Sequence, residues 1–375
     1  MNHLPSLGAA PRPAPQPRPA LAGIGGALAP IPGIRRPGMH RLCSNESPFG
    51  PSPAAIAAAS QALRRGNEYP EGEGGPLTEA LAARHGLPIS RLRLGPGSDT
   101  LLLQLVSAFA GPGDEVVFSA RGYARYARNA LIAGATPVPA PDIGFRADPA
   151  ALLAAVTPRT RLVMLANPDN PSGAMLRLAE IEALHAVLPP DVLLVLDGAY
   201  AEFVRDTAYG DGGLALAAQA PNVMASRTFS KIHAMAGIRL GWICGAPDLL
   251  AAVGKAGPTF PVSVPALAAG LPALEDTAHA ARARAHNDHW LPWISHALAV
   301  SPKLRVRPSQ ANFVLVDFPS PEIAYTCAAH LAAQDILVRP FGPGPHHAQL
   351  RYSIGAGPAL EHAAALTLAF LDNGG

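Results

Sequence analysis

The run SRTFSKIH at residues 226–233 places Lys231 among hydroxyl residues in an otherwise apolar setting, just after a strand-like segment. Thr228 and Ser230 precede it, and Arg239 follows eight residues on. A lysine amine forms a Schiff base only when unprotonated, and an apolar pocket with a nearby cation lowers its pKa. Hydroxyls beside a fixed guanidinium are what a phosphate monoester needs. The plain alternative is a surface lysine in a strand-to-loop turn. A second run, VLLVLDGAY at 192–200, ends an apolar strand on Asp197, with Tyr200 three residues later. Ligands of open α/β sheets bind outside the carboxyl ends of strands. A carboxylate there can keep a pyridine nitrogen protonated, with Tyr200 on a ring hydroxyl; equally, it can cap the next helix.

Three further runs are weaker alone. NPDNPSG at 167–173 follows the apolar run RLVMLA, and its two Asn-Pro pairs make a turn that fixes the Asn170 amide, or simply a turn. GPGSDT at 95–100 opens a helix, and free backbone N–H groups at Gly97, Ser98 and Asp99 would cup a phosphate. In RYSIG at 351–355, Arg351 could clamp a carboxylate or stand solvated on an edge strand.

Alternating strands and helices position these residues. Strands are expected at Arg91–Leu94, Glu115–Phe118, Arg161–Ala166, Val192–Leu196, Asn222–Ser226 and Leu240–Cys244, with helices at Ala54–Arg65, Pro76–His85, Ser98–Ala110, Tyr123–Ala133 and Leu178–Val187. Ser98 and Asp99 have the residue types of N-caps. The unbroken apolar strands read as buried on both faces, so a large α/β domain with a mostly parallel sheet is predicted. A long Ala-rich helical stretch to Ala299 leads into a smaller α+β tail: strand Asn312–Val316, helix Ile323–Ala333, strands Ile336–Arg339 and Gln349–Ser353, helix Ala359–Leu371. The domain expectation is a Pro/Ala-rich arm over 1–40, a large domain over 66–265, and a small domain from 41–65 and 266–375. The arm is expected to be flexible, or to order only on a partner subunit.

A chain of 375 residues with 49% hydrophobic and 15% charged residues can bury a sizeable core. A net charge of +2 without a basic block offers no footprint for nucleic acid or an anionic membrane. Cys43, Cys244 and Cys327 are odd in number and widely spaced, which predicts buried thiols and neither disulfides nor zinc. No metal site is expected, and the pair His346-His347 reads as exposed loop. No secretory signal or membrane span is recognisable, so a cytoplasmic protein is predicted.

Taken in order, the motifs resemble those of the fold-type I aminotransferases of classes I and II, most closely the histidinol-phosphate aminotransferase subfamily, over residues 41 to 372. The opening Asn45-Glu-Ser-Pro-Phe-Gly50 and Tyr69-Pro70 are also similar to that subfamily's. The resemblance implies pyridoxal 5'-phosphate (PLP) as cofactor, held covalently by Lys231. Asp197 would partner the ring nitrogen, Asn170 and Tyr200 the ring hydroxyl, and Tyr123 would stack on the ring. Gly97, Ser98, Asp99, Thr228, Ser230 and Arg239 would bind the phosphate. Asn45, Asn312, Arg339 and Arg351 would lie at the substrate, Arg351 as the carboxylate clamp. Tyr69 would reach the neighbouring subunit's cofactor phosphate, which implies a homodimer with shared active sites. The implied reaction moves an amino group from histidinol phosphate, or an aromatic or related amino acid, to a 2-oxo acid with ping-pong kinetics, Lys231 carrying the proton. A decarboxylase of an amino-acid phosphate is the alternative on the same fold. A PLP-binding regulator would need a DNA-binding domain, for which the 40-residue arm is too short and too Pro-rich.

The sequence departs from the family pattern in four places. Gly198 stands where Glu is usual, His233 where an aromatic residue is usual, and Arg121-Gly122-Tyr123 where a Pro-Thr-Tyr-like turn is usual. Gly257-Pro-Thr-Phe-Pro261 lacks the arginine and asparagine of the subfamily's Arg-x-Pro-Phe/Tyr-Asn run.

Overall fold

The computed structural model describes residues 17–22, 24, 37–70 and 75–374. The expected arm therefore lies largely outside the described residues; within it, a turn of helix at Pro19–Ala22 follows Arg18, whose Nη2 donates to the Ile132 carbonyl of the same chain at 2.5 Å.

The first strand, β1 (His40–Leu42), joins a small sheet. A seven-stranded sheet then takes β2 (Leu92–Gly95), β3 (Glu115–Ser119) and β4 (Thr136–Ala140). After a projecting hairpin of β5 (Asp142–Ile143) and β6 (Arg146–Ala147) come β7 (Thr160–Ala166), β8 (Leu193–Asp197), β9 (Val223–Thr228) and β10 (Gly241–Cys244). The order is β2-β10-β9-β8-β7-β3-β4, with β10 antiparallel to both its neighbours and the other pairings parallel. This is the mostly parallel α/β sheet that the βαβ rhythm predicts, and it has seven strands.

Period-two alternation makes the sheet a wall between two cores. Val163, Leu165, Leu194 and Leu196 pack on one face, and Leu162, Met164, Leu193 and Val195 on the other. Each such side chain contributes about 1.5–3 kcal/mol by leaving water, so a one-residue slip of β7 or β8 is strongly disfavoured. The ends of these strands, where the functional residues sit, are thereby fixed.

The small sheet adds β11 (Arg305–Val306), β12 (Phe313–Asp317), β13 (Ile336–Pro340) and β14 (Gln349–Ser353) in the order β1-β13-β14-β12-β11. Its core joins Leu42, Val314, Val316, Val338 and Tyr352 to the helices Pro321–Ala333 and Gly357–Asp372.

Several details differ from the sequence expectation. The long helical stretch is two helices, Val264–Glu275 and Thr277–Ala299, separated at Asp276, whose carboxylate accepts from the His279 N–H at 2.9 Å and caps the second. Ala55 of the helix Pro53–Ala62, and Ala266, Ala269 and Ala273 of the helix Val264–Glu275, belong to the core of the large sheet. Small alanines let these two helices lie close together in one layer. The helix at Ser98–Phe109 is capped by Gly97, at φ +87, and Ser98 is its first helical residue. The helix near Tyr123 starts later, at Arg125. His346 is buried, while His347 is exposed. All three cysteines are free and buried.

Candidate active site

A cavity of about 610 Å³ opens at the carboxyl ends of the parallel strands, against the small sheet. Asn45, Ser98, Asp99, Tyr123, Asn170, Asp197, Tyr200, Thr228, Ser230, Lys231, Arg239, Arg339 and Arg351 all line it. Strand register does much of the gathering. Asp197 lies between Ala166 of β7 and Ser226 of β9, and Gly95 and Thr228 flank Gly241 across β10.

Lys231 follows β9 directly, half-buried in the cavity. Its Nζ donates to the peptide carbonyls of Ser44 (3.2 Å) and Asn45 (3.3 Å), and lies 5.7 Å from the centre of the Tyr200 ring. Burial above all, then the Arg351 and Arg239 charges, pull its ammonium pKa from 10.5 down to about 8, with Glu46 and Asp197 opposing. A reactive free amine is thus accessible near neutral pH.

Asp197 ends β8 as a buried carboxylate. It accepts from Tyr126 Oη (3.0 Å), Ser226 Oγ (3.1 Å) and the Ala199 N–H (3.2 Å). Burial raises its pKa despite these bonds. A cation beside it would complete the balance of charge. Tyr200 Oη accepts from the side-chain amides of Asn45 (2.9 Å) and Asn170 (3.2 Å). Asn170 Oδ1 in turn accepts from Arg351 Nη1 at 2.5 Å, so the turn at 167–173 is tied to the small sheet.

Hydroxyls, a guanidinium and a helix start gather around Gly97. Thr228 Oγ1 donates to Ser230 Oγ at 2.9 Å, and Arg239 Nη1 reaches the same oxygen at 3.4 Å. A side chain at Gly97 would put Cβ 2.3 Å from Arg239 Nη2, and one at Gly241 would put Cβ 2.7 Å from the Ser98 nitrogen. Both glycines keep the guanidinium and the N–H groups of the helix start converging on one small space, as an anion site needs. Asp99 has its carboxylate turned to Arg125 (2.9 Å) and to the Tyr123 hydroxyl (3.4 Å).

On the small-sheet side, Arg339 and Arg351 face each other across β13 and β14. Arg339 Nε (3.1 Å) and Arg351 Nη2 (2.9 Å) both donate to the one Cys43 carbonyl. Burial, then the neighbouring Arg339, lower the Arg351 pKa to about 10, and burial also lowers that of Arg339. Arg351 Nε has no partner among the described residues. Two adjoining guanidiniums sharing a neutral carbonyl call for an anionic ligand.

The chain matches the family description "Aminotransferase class I and II" over residues 37–366. The chain belongs to the aminotransferase class I and II family. It is 45% identical over 350 residues to a histidinol-phosphate aminotransferase of Paramagnetospirillum magneticum, covering 92% of this chain and 95% of that protein. It is 40% identical over 327 residues to one of Cereibacter sphaeroides, covering 86% and 89%. Among solved structures, the histidinol-phosphate aminotransferase of Sinorhizobium meliloti in complex with pyridoxal-5'-phosphate superposes with a TM-score of 0.86 at 29% identity, covering 98% of this chain and 100% of that one.

Within this aminotransferase fold, three expected residues stand apart from the cavity wall. Gly97 lies just behind Ser98 as the cap of its helix. Asn312 is buried behind Asn45, donating to its carbonyl at 3.2 Å, with its Oδ1 unpaired among the described residues. Tyr69 is 77% exposed and stacks on Phe260, centroids 4.4 Å apart, away from the cavity. Gly257-Pro-Thr-Phe-Pro261 lies beside it, with Thr259, Phe260 and Pro261 lining a small hollow next to Pro70 and Leu94. His233 packs its ring on Phe229 at 4.8 Å and is no part of the cavity wall. Gly198 has its own cause: a Cβ there would sit 1.9 Å from Nη1 of the buried Arg227.

Sequence reasoning missed several contributors. Tyr126 follows Tyr123 by three residues and packs its ring edge-on against it, centroids 5.6 Å apart. Ser226 lies two residues before Thr228, where strand periodicity repeats the face. Arg125, Arg128, Phe341 and His346 line the cavity with no motif to mark them.

Proposed function

We propose that this aminotransferase is a PLP-dependent histidinol-phosphate aminotransferase that acts as a homodimer. The observation that carries the reading is the convergence of an amine with lowered pKa, a buried carboxylate at a strand end, a glycine-lined anion cup and a pair of facing arginines on one cavity. The relatives at 40–45% identity support the substrate.

The residues fit the cofactor. The cup at Gly97–Asp99 with Thr228, Ser230 and Arg239 would take its phosphate, and the Cβ-free wall at Gly97 leaves space for it. Asp197, held by three donors, would face the ring nitrogen, and Asn170 and Tyr200 the ring hydroxyl. Tyr123 would lie against the ring. When bound, PLP supplies an aldehyde that takes up the amino group and a ring that withdraws electrons from the reacting carbon.

The chain's own residues do the rest. Lys231 would hold the cofactor through Nζ and, when its amine is free, would carry the proton taken from the substrate carbon. Its two carbonyl partners, at Ser44 and Asn45, offer the freed ammonium a resting place. Arg351 and Arg339 orient the anionic end of each substrate, the phosphate monoester of histidinol phosphate or the carboxylate of the 2-oxo acid. Asn45 and Asn312 brace that wall. Exposed Tyr69 would reach the cofactor phosphate of a second copy, so each site needs both chains. We likewise propose that the large sheet and the small sheet act as two units closing on this cavity.

The test is a visible spectrum of the purified protein with PLP, followed by titration with amino donors. The reading expects a cofactor band that bleaches with histidinol phosphate and returns with a 2-oxo acid. Release of carbon dioxide from an amino-acid phosphate would point to the decarboxylase instead. A band that no donor bleaches would sink transamination, and no band at all would sink the cofactor.

A further inference from the structure

The cavity wall at residues 341–348 carries a side chain that the proposed reaction leaves unused. His346 is buried between the two sheets. Its Nε2 lies 2.7 Å from the Arg121 carbonyl, in the turn that leads to Tyr123, and its Nδ1 lies 2.6 Å from Gln349 Oε1, at the start of β14. The carbonyl can only accept. The Gln349 amide is fixed by its other end, because Nε2 donates to the Asp317 carboxylate at 2.6 Å, which leaves Oε1 as the atom facing the ring. Both ring nitrogens therefore face acceptors, and a neutral imidazole has one N–H to give.

We propose that His346 is a positioning residue that is protonated on both nitrogens in the closed site, clasping the small sheet to the turn that bears Tyr123, and that loss of one proton releases that clasp.

The groups around the ring set the pH range. Burial lowers its pKa most; the bonds to Gln349 and Arg121 raise it, the Arg121 charge lowers it, and Asp142 of the β5–β6 hairpin raises it, leaving it below 6.5. Asp317 of β12 acts only through Gln349 and is itself paired with Arg307. From the hairpin, Phe145 lies between the guanidiniums of Arg121 (4.3 Å) and Arg307 (3.9 Å), and from the loop Phe341 covers the ring at 5.4 Å. Arg121 Nη1 also donates to the Pro345 carbonyl at 2.9 Å, so a second, pH-independent tie keeps the loop near when the clasp opens. An anion bound by Arg339 and Arg351 favours the cationic ring, so substrate binding and proton uptake are coupled.

The experiment uses PLP-loaded protein with 15N-labelled histidine, read by NMR from about pH 5 to 8. The clasp requires one imidazolium with both N–H protons protected at the acid end, absent from His346→Gln, that loses one proton as pH rises. A neutral ring at every pH, or a cation that never titrates, would overturn it. The kinetic arm rests on the proposed reaction. KM for the anionic substrates should rise about tenfold more from acid to pH 8 in the wild type than in His346→Gln, in line with losing one charge-assisted bond. The Gln variant can donate to the Arg121 carbonyl at every pH. Identical KM profiles would refute the coupling. Absence of turnover with every donor would refute the proposed reaction and leave the NMR result standing.

Discussion

The lowered pKa of Lys231 has a kinetic consequence in the apoenzyme. At pH 7 an amine of pKa about 8 is free in roughly one molecule in ten, against roughly one in three thousand at an ordinary 10.5, a gain of about 300-fold. In the proposed function, covalent capture of PLP by Lys231 needs that free amine. The second-order capture rate, followed by the growth of the visible band in a stopped-flow experiment, should therefore rise about tenfold per pH unit and level off near pH 8. Two variants give the sign. Arg351→Gln removes a cation that lowers the pKa, so the plateau moves to higher pH; Glu46→Gln removes an anion that raises it, so the plateau moves lower. A rate that climbs unbroken past pH 9.5 would refute the lowered pKa. A plateau near 8 that shifts in neither variant would leave burial as the sole cause.

Three other outcomes follow from the geometry. Gly97→Ala forces a side chain into φ +87, ψ 154, at about 1–3 kcal/mol in backbone conformation alone, and pushes the Arg239 guanidinium aside, so PLP should bind at least about tenfold more weakly by equilibrium dialysis. Tyr126→Phe strips one of three donors from Asp197; with a charged hydrogen bond worth about 1.5–3 kcal/mol, single-turnover rates should fall roughly 10- to 100-fold while the fold, by circular dichroism, is kept. Tyr69→Phe should weaken PLP retention during dialysis, and unchanged retention would count against a site shared between two copies.

The large sheet was legible because parallel strands buried on both faces leave unbroken apolar runs such as RLVMLA, which ends on the cavity residue Ala166, and VLLVL, which is followed by the cavity residue Asp197. The strand β4 was not, since TPVPA carries two prolines and sits at the sheet edge, where a missing N–H is tolerated. The helix break at Asp276 was hidden inside a run of alanines, which hold helix propensity high across it. At the cavity, the residues the sequence singled out were those whose type a chemistry would dictate: the Lys231 amine, the Asp197 carboxylate and the Thr228 and Ser230 hydroxyls. The supporting residues were not, because Tyr126, Ser226 and His346 act through contacts between segments 29 to 225 residues apart that no local pattern records.

Gly198 carries this furthest. Read along the chain, it is only a missing glutamate. Across the sheet, it is the space into which the buried Arg227 guanidinium folds, with Nη1 donating to the Ser226 carbonyl at 2.9 Å and Nη2 to that of Asp211 at 2.8 Å. The Gly198 N–H also donates to the Ser226 carbonyl at 3.0 Å, so glycine and arginine share one acceptor beside Asp197. A larger residue at 198 would displace the guanidinium, and with it the carbonyl that holds the end of β8. The departure from the family pattern and the position of the carboxylate are thus one packing solution, written in two residues 29 positions apart.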